Sequence, residues 1–477
     1  MAPFLGATED AAARNRPTHP VADPHNPNSK RIAIIGGGMT GLTAAWRLHT
    51  RGHRVRLFEA EARFGGAVRS ERIDDWLVEA GPNSLHVNSP EVAAVVGELS
   101  LESKKLVANP AAKNRYIVRR GRLRPVPLSS PDLFTSRLFS TSAKLRILAE
   151  LLTQPRQRTV DLSLAAFVRE HFGREFVDYL LDPFVSGIYA GDPEKLSASH
   201  AFPQLGELEH NYGSLLRGYV TLNRERRARG DPPPQLISFA EGLQTLTDAL
   251  ALALPSHTVE RRGKIDTLLP GPPWEITWQR DGGAQTEEAD AVILALPAAA
   301  LAALRVAGQQ PLAALAGIEH PPVASLFLGF RREDITHPLD GFGLLAPACE
   351  RRGLLGAIFS STLYPERAPA GHVAITVMAG GARQPELARL APEALLAKVM
   401  PDLRELLGVQ GPPVFTHHTF WPRAIPQYNL GYGRFLAMMS DAEKRYPGLF
   451  IGGHVRDGIA LGACVSSGLR LAERATA

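Results

Sequence analysis

The stretch Arg31-Ile32-Ala33-Ile34-Ile35-Gly36-Gly37-Gly38-Met39-Thr40-Gly41 decides the fold. Four apolar residues after Arg31 make a short buried strand. The glycines that follow make a tight turn, and Leu42, Ala45 and Leu48 continue as one face of a helix that ends at Gly52. Val55-Arg56-Leu57-Phe58 is the next strand, with Glu59 at its tip. Strand, glycine turn, helix, strand and acid together form a dinucleotide-binding unit. In it, Gly36 permits the turn, Gly38 admits a pyrophosphate close to the backbone, and Gly41 lets helix and strand pack tightly. The amides of Met39 and Thr40 open the helix and face the phosphates. Glu59, 18 residues past Gly41, accepts hydrogen bonds from a ribose.

Two more glycine loops follow closely. Arg63-Phe64-Gly65-Gly66 comes just after Glu59-Ala60, and Gly81-Pro82-Asn83-Ser84 follows Glu79-Ala80. They suit a cofactor with a long second half, FAD in preference to NAD. At the other end, Leu449-Phe450-Ile451-Gly452-Gly453 reads as a strand entering a turn. Asp457-Gly458 then precedes a helix expected from Ile459 to Ala472. The positive end of such a helix favours the anion formed when a flavin is reduced.

The chain between these ends supports a discontinuous α/β organisation. We expect a disordered tail over residues 1–30 and Rossmann-like FAD-binding parts over 31–89, 236–304 and 416–477. A helical domain is expected over 90–205, a connecting and substrate-domain segment over 206–235, and a mixed α+β substrate-binding domain over 305–415. Leu145 to Leu152 and Leu164 to Phe172 have helical periodicity. Val323 to Phe330 and Val373 to Val377 read as strands, and Ala391 to Leu407 as an amphipathic helix.

Composition narrows the class. The 477 residues are 44% hydrophobic and 21% charged, ordinary for a globular enzyme. Cys349 and Cys464 stand far apart, which argues against a disulfide framework or a cysteine metal site and for a reducing compartment. The net charge of +5 suits an anionic substrate or membrane surface, or simple solubility. No apolar run reaches the roughly 20 residues a membrane span needs, and no secretory signal is visible. No histidine–carboxylate spacing points to a metal, and nucleic acid is not an expected partner.

Several segments taken together resemble the protoporphyrinogen oxidase family of FAD enzymes, within the monoamine oxidase-like superfamily. Besides the glycine loops, these are Ala112-Lys113-Asn114-Arg115-Tyr116, Gly187-Ile188-Tyr189-Ala190-Gly191-Asp192, Gly341-Phe342-Gly343, Trp421-Pro422 and Ile425-Pro426-Gln427-Tyr428. The resemblance implies oxidation of protoporphyrinogen IX with oxygen as acceptor and hydrogen peroxide as co-product. Coproporphyrinogen III is the nearest alternative substrate; an amine or polyene oxidase and a weakly active flavin-binding protein are more distant ones. It also implies a helical domain that sits on a membrane without crossing it, in a monomer or homodimer, and a cytoplasmic location with peripheral attachment to the inner face of the cell membrane.

By the same resemblance, Arg115 binds a propionate and the Gly187 carbonyl faces pyrrole N–H groups. Gly343, Leu345 and Met378 wall the macrocycle. Ile265 contacts adenine through its backbone, and Trp421 lies near the flavin. Gly453, Asp457 and Ile459 belong to the C-terminal cofactor turn. Here the chain departs from the family, which has an Asn at the Gly453 position and an Asp at the Ala463 position. No general base is assigned; His454 is the one histidine near the expected flavin edge.

Overall fold

The computed structural model describes residues 29–230, 233–280 and 283–477. The tail expected over 1–30 falls almost wholly outside them. Arg31–Ile35 is the central strand of a five-stranded parallel sheet. Arg54–Glu59 and then Val259–Arg261 lie on one side, and Ala291–Leu294 and then Leu449–Ile451 on the other. Three stretches far apart in sequence thus complete one nucleotide sheet. The strands Arg31–Ile35, Ala291–Leu294 and Leu449–Ile451 are short and almost continuously apolar, as a parallel sheet covered on both faces requires.

Helix Met39–Thr50 covers one face of this sheet, with Leu42, Trp46 and Leu48 fully buried. The C-terminal helix Leu461–Thr476 crosses it closely. Gly468 makes that approach possible: a Cβ there would lie 2.5 Å from the Thr40 carbonyl oxygen. The C-terminal helix begins at Leu461 and not at Ile459 as expected, because Gly458 adopts φ +111° and keeps the turn open through Ala460.

A seven-stranded sheet forms the second body. Its order is Phe415–Trp421, Val323–Arg331, His372–Gly380, Gly356–Ile358, Gly341–Leu345, Asn114–Arg119 and Arg122–Pro125. Strand alternation gives it two distinct faces. Leu326, Leu328, Ile375 and Val377 pack under helix Pro392–Leu407 through Leu395, Val399 and Leu403. The opposite face carries Ser325, Phe327, Thr376 and Met378 and is turned toward the nucleotide sheet.

Three boundaries differ from the sequence reading. The region 90–205 is not wholly helical, because Asn114–Arg119 and Arg122–Pro125 are strands of the seven-stranded sheet. Residues 206–228 continue the helical region in Pro203–Tyr212 and Leu215–Ala228 instead of merely connecting. Phe415–Trp421 also belongs to the seven-stranded sheet, although 416–477 was expected in the nucleotide part. For the two strand segments the partner that fixes the boundary is remote in sequence.

The helical region is closed by a buried polar bridge. The two ring nitrogens of His171 lie 3.0 Å from Glu150 and 3.2 Å from Glu209. Glu150 also accepts from Ser214 and from the Leu215 amide at the start of helix Leu215–Ala228. Burial opposes ionisation of Glu150, but the hydrogen bonds from His171, Ser214 and the two helix amides outweigh it and hold its carboxyl below the ordinary range.

Candidate active site

The glycine turn is built as its spacing demands. Gly36 has φ +108°, a conformation that favours glycine, and its amide donates to the Phe58 carbonyl at 2.8 Å. A Cβ on Gly41 would lie 1.9 Å from the Gly36 carbonyl oxygen. Gly38 is the N-cap of helix Met39–Thr50 and supplies no side-chain cap, so the first amides of the helix stay uncapped. A Cβ on Gly38 would meet no protein atom within 4 Å. Those free amides beside open space fit a diphosphate.

Glu59 braces this cradle. Its carboxylate accepts from the Gly37 amide at 2.8 Å and from the Glu61 amide at 2.8 Å. Ala60 is exposed beside it. The Gly263 amide donates to the Glu59 carbonyl, which brings the segment leading to Ile265 next to the ribose end. Ile265 itself lies at an irregularity in the strand Lys264–Leu269 and packs on the core.

The second and third glycine loops sit against the first. The Gly65 amide donates to the Gly37 carbonyl at 2.8 Å, and Gly66 approaches Gly38. Arg63 ties the carbonyls of Phe64, Gly66 and Val68, so it shapes the loop. Asn83 donates to the Gly81 carbonyl at 3.3 Å, and Pro82 and Ser84 complete that loop. The Trp421 indole donates to the Ala80 carbonyl at 2.8 Å, which places its ring beside Gly81.

At the C-terminal turn, Asp457 is an organiser. Its carboxylate accepts from the Gly453 amide at 3.0 Å and from the Ser467 hydroxyl. Gly453 has φ +95° and faces Thr40. Ile459 packs on the core beside it. Tyr428 donates to the His454 carbonyl and accepts from the Gly458 amide. Burial, with His320 nearby, pushes His454 down to about 4, so it is neutral and a poor proton acceptor at pH 7.

Sheet register brings the expected substrate residues together. Arg115, Gly343, Ile358 and Thr376 are directly paired in one row, and Ile117, Leu345, Gly356 and Met378 in the next. Residues two apart on a strand share a face, so both rows look the same way. The row through Gly380, Val323 and Trp421 follows on the same face. Gly187 meets this face from helix Asp182–Tyr189: a Cβ there would lie 2.5 Å from Leu345. Arg383 anchors that helix through Asp182. Gln427 donates to the Tyr189 carbonyl at 2.8 Å, so two of the motifs read in sequence touch.

Sequence reasoning missed Phe184 and Ile188. They are 41% and 45% exposed and flank Gly187 on the helix. They are large apolar groups left in water on a helix that packs against Leu345, a signal that only the helix register reveals. Arg115 itself is exposed, and its guanidinium carbon lies 5.8 Å from the centre of the Phe342 ring.

Comparison with known proteins agrees with this geometry. The model of the flavin containing amine oxidoreductases matches residues 39–476. The mitochondrial protoporphyrinogen oxidase of Nicotiana tabacum is 34% identical, covering 94% of this chain and 95% of its own. A coproporphyrinogen III oxidase of Bacillus subtilis is 27% identical, covering 92% of this chain and 96% of its own. A solved structure from Exiguobacterium, described provisionally as a protoporphyrinogen oxidase, superposes with a TM-score of 0.78 at 24% identity, covering 94% of this chain and 99% of that one. FAD is accordingly the cofactor of this fold, and the chain belongs to the protoporphyrinogen oxidase family of flavin-containing amine oxidoreductases.

Proposed function

We propose that this chain oxidises protoporphyrinogen IX to protoporphyrin IX, with oxygen as the final acceptor and hydrogen peroxide released. One observation carries the reading. A single sheet face runs from an arginine with no carboxylate partner among the described residues, past apolar wall residues, to Trp421 beside the glycine loops of the nucleotide site. FAD, when bound, supplies the acceptor for a hydride from a meso carbon of the macrocycle.

The chain's own residues bind and orient. Arg115 offers a planar fork to a propionate in two charge-assisted hydrogen bonds. Gly187 lies in the last turn of helix Asp182–Tyr189, where carbonyls have no partner further along the helix. Its carbonyl is therefore free to accept from pyrrole N–H groups. Leu345 and Met378 on one side, and Phe184 and Ile188 on the other, exclude water from the ring. An electron-rich tetrapyrrole needs no strong base, consistent with a neutral His454. The loop residues Ala60, Arg63, Asn83, Ser84 and Ile265 position the cofactor mainly through backbone.

Oxygen-uptake assays with protoporphyrinogen IX and coproporphyrinogen III in parallel test the reading. Turnover of the first is expected to dominate; turnover of the second alone would overturn it. In the same assay, Arg115→Ala is expected to raise KM by roughly tenfold or more with FAD content unchanged. An unchanged KM would remove Arg115 from the site.

We also propose peripheral attachment to an anionic membrane, on the cytoplasmic face. Phe134, Leu145, Leu152, Val160, Tyr219 and Val220 are exposed on the helical region, and Arg224 and Arg227 lie on the helix Leu215–Ala228 that carries the last two. Exposed apolar groups beside cations suit a lipid interface. Among the described residues no helix is long and apolar enough to cross a membrane. Flotation with vesicles rich in phosphatidylglycerol is expected to carry the protein upward, and phosphatidylcholine vesicles much less. Equal absence from both floated fractions would refute attachment.

A further inference from the structure

The hairpin Asn114–Arg119 and Arg122–Pro125 carries four arginines besides Arg120 at its tip, and its register sorts them by face. Tyr116 and Val118 on one strand and Leu123 on the other pack into the core under helix Pro392–Leu407. Directly opposed residues share a face. Ile117 pairs with Arg124 and Arg119 with Arg122, so Arg115, Arg119, Arg122 and Arg124 all lie on the other face, the one shared with Gly343 and Leu345.

These four differ in what they touch. Arg119 is committed: it pairs with Glu175, donates to the Leu138 carbonyl and lies over the Tyr179 ring. Arg122 is exposed near the turn. The Arg115 side chain lies over the Phe342 ring and has no carboxylate partner among the described residues. Arg124 is half-buried beside Ile117, with no carboxylate partner among the described residues. A guanidinium removed from water without a counter-charge is costly, and an incoming carboxylate relieves that cost.

Arg124 is a close neighbour of Arg115 across the two strands. The Val126 amide donates to the Arg115 carbonyl at 2.8 Å, so Arg124 occupies the diagonal position across the two strands. Diagonal neighbours in such a pair are about 7–8 Å apart at Cα, within reach of one another for long side chains. Two forks at that spacing fit two carboxylates on neighbouring pyrrole rings. Toward the interior of the face the residues are Ile358, Leu345, Gly356 and Met378, which offer no cation.

We propose that Arg124 binds the second propionate of the porphyrinogen, and that the Arg115–Arg124 pair opposite an apolar inner wall selects a substrate with carboxylates along one edge only. This deepens the function proposed above and rests on it. It makes Arg124 a specificity residue that favours a dicarboxylate over a tetracarboxylate porphyrinogen.

The test compares Arg124→Gln with Arg122→Gln in the full-length holoenzyme. Protoporphyrin IX binding is read by fluorescence, and KM is measured with protoporphyrinogen IX and with its dimethyl ester. Arg124→Gln is expected to weaken binding and raise KM for the diacid by roughly 10- to 100-fold, the loss of a charged hydrogen-bond pair. The ester should be unaffected, and so should FAD content and the unfolding midpoint. Arg122→Gln should behave as wild type. Loss shared equally between diacid and ester, or no difference between the two variants, would overturn the assignment. Wild-type protein that neither binds the porphyrin nor oxidises the porphyrinogen would instead defeat the underlying function.

Discussion

Gly38→Leu is expected to leave the apoprotein as stable as wild type while abolishing FAD binding, whereas Gly41→Ala damages both. The contrast comes from where each new side chain points. At Gly38 the backbone has φ −77° and ψ −176°, open to any residue, and a Cβ meets nothing within 4 Å. That space is free of protein and lies at the uncapped start of helix Met39–Thr50. Filling it removes room for a diphosphate without touching the core. At Gly41 a Cβ would lie 1.9 Å from the Gly36 carbonyl oxygen, so helix and strand must separate. Overpacking of this kind costs about 1–3 kcal/mol. Flavin titration of the purified apoproteins and denaturant unfolding read the two effects apart. We expect FAD affinity to fall at least roughly a hundredfold in both variants, with the unfolding midpoint displaced only in Gly41→Ala. A Gly38→Leu protein that still takes up FAD stoichiometrically would show that the diphosphate does not lie there.

Local chemistry explains what the sequence made legible. Residues 31–59 announce the nucleotide unit because each requirement is met within a few residues: a positive φ at Gly36, a close approach at Gly41, an acid at the next strand tip. Ala291–Leu294 was also readable as a return to that sheet, since four buried apolar residues have few other uses. The hairpin at Asn114 was not. Asn114 bonds to Asp340, 226 residues away, and nothing near Asn114 specifies that partner. The same distance hid the role of Arg124, whose face is set only by pairing with Ile117. The start of the C-terminal helix was misplaced for a different reason. Asp457-Gly458 resembles a cap, but Asp457 is spent on the Gly453 amide and Ser467, and the helix begins only after Ala460.

The expected substrate positions come from family motifs, and the structure supplies their physical connection. Gly187, Gly343, Leu345 and Met378 come from two separate strands and a helix. They become neighbours because Gly356 pairs with both Leu345 and Met378. Gly356 was not singled out in sequence, yet a Cβ there would lie 2.7 Å from the Leu345 side chain. A glycine in a strand centre is weak evidence alone; here it thins the wall where the macrocycle must lie.

The second large effect is expected at Arg367, which ties the two sheets' surroundings together. It is 1% exposed and donates to Glu79 at 2.8 Å and to the Ser238 hydroxyl. Glu79 also accepts from Ser70 at 2.6 Å and from the Leu243 amide at 2.9 Å. Burial pushes the Glu79 carboxyl up and the Arg367 guanidinium down, and their mutual attraction opposes both shifts. Each charge is therefore tolerated only because the other is present. Arg367→Met leaves Glu79 buried without a counter-charge and is expected to cost about 3–5 kcal/mol. Glu79 ends the strand Trp76–Glu79 and leads directly into Ala80 and Gly81, where Trp421 docks. Loosening it should also weaken FAD retention on gel filtration. The double variant Glu79→Gln with Arg367→Met removes both charges and should recover a large part of the loss, because a neutral amide is far cheaper to bury. Chemical unfolding of the two single variants and the double variant decides the matter. A cost below about 1 kcal/mol for Arg367→Met, or a double variant no more stable than the worse single one, would mean that this pair does not hold the strand Trp76–Glu79 in place.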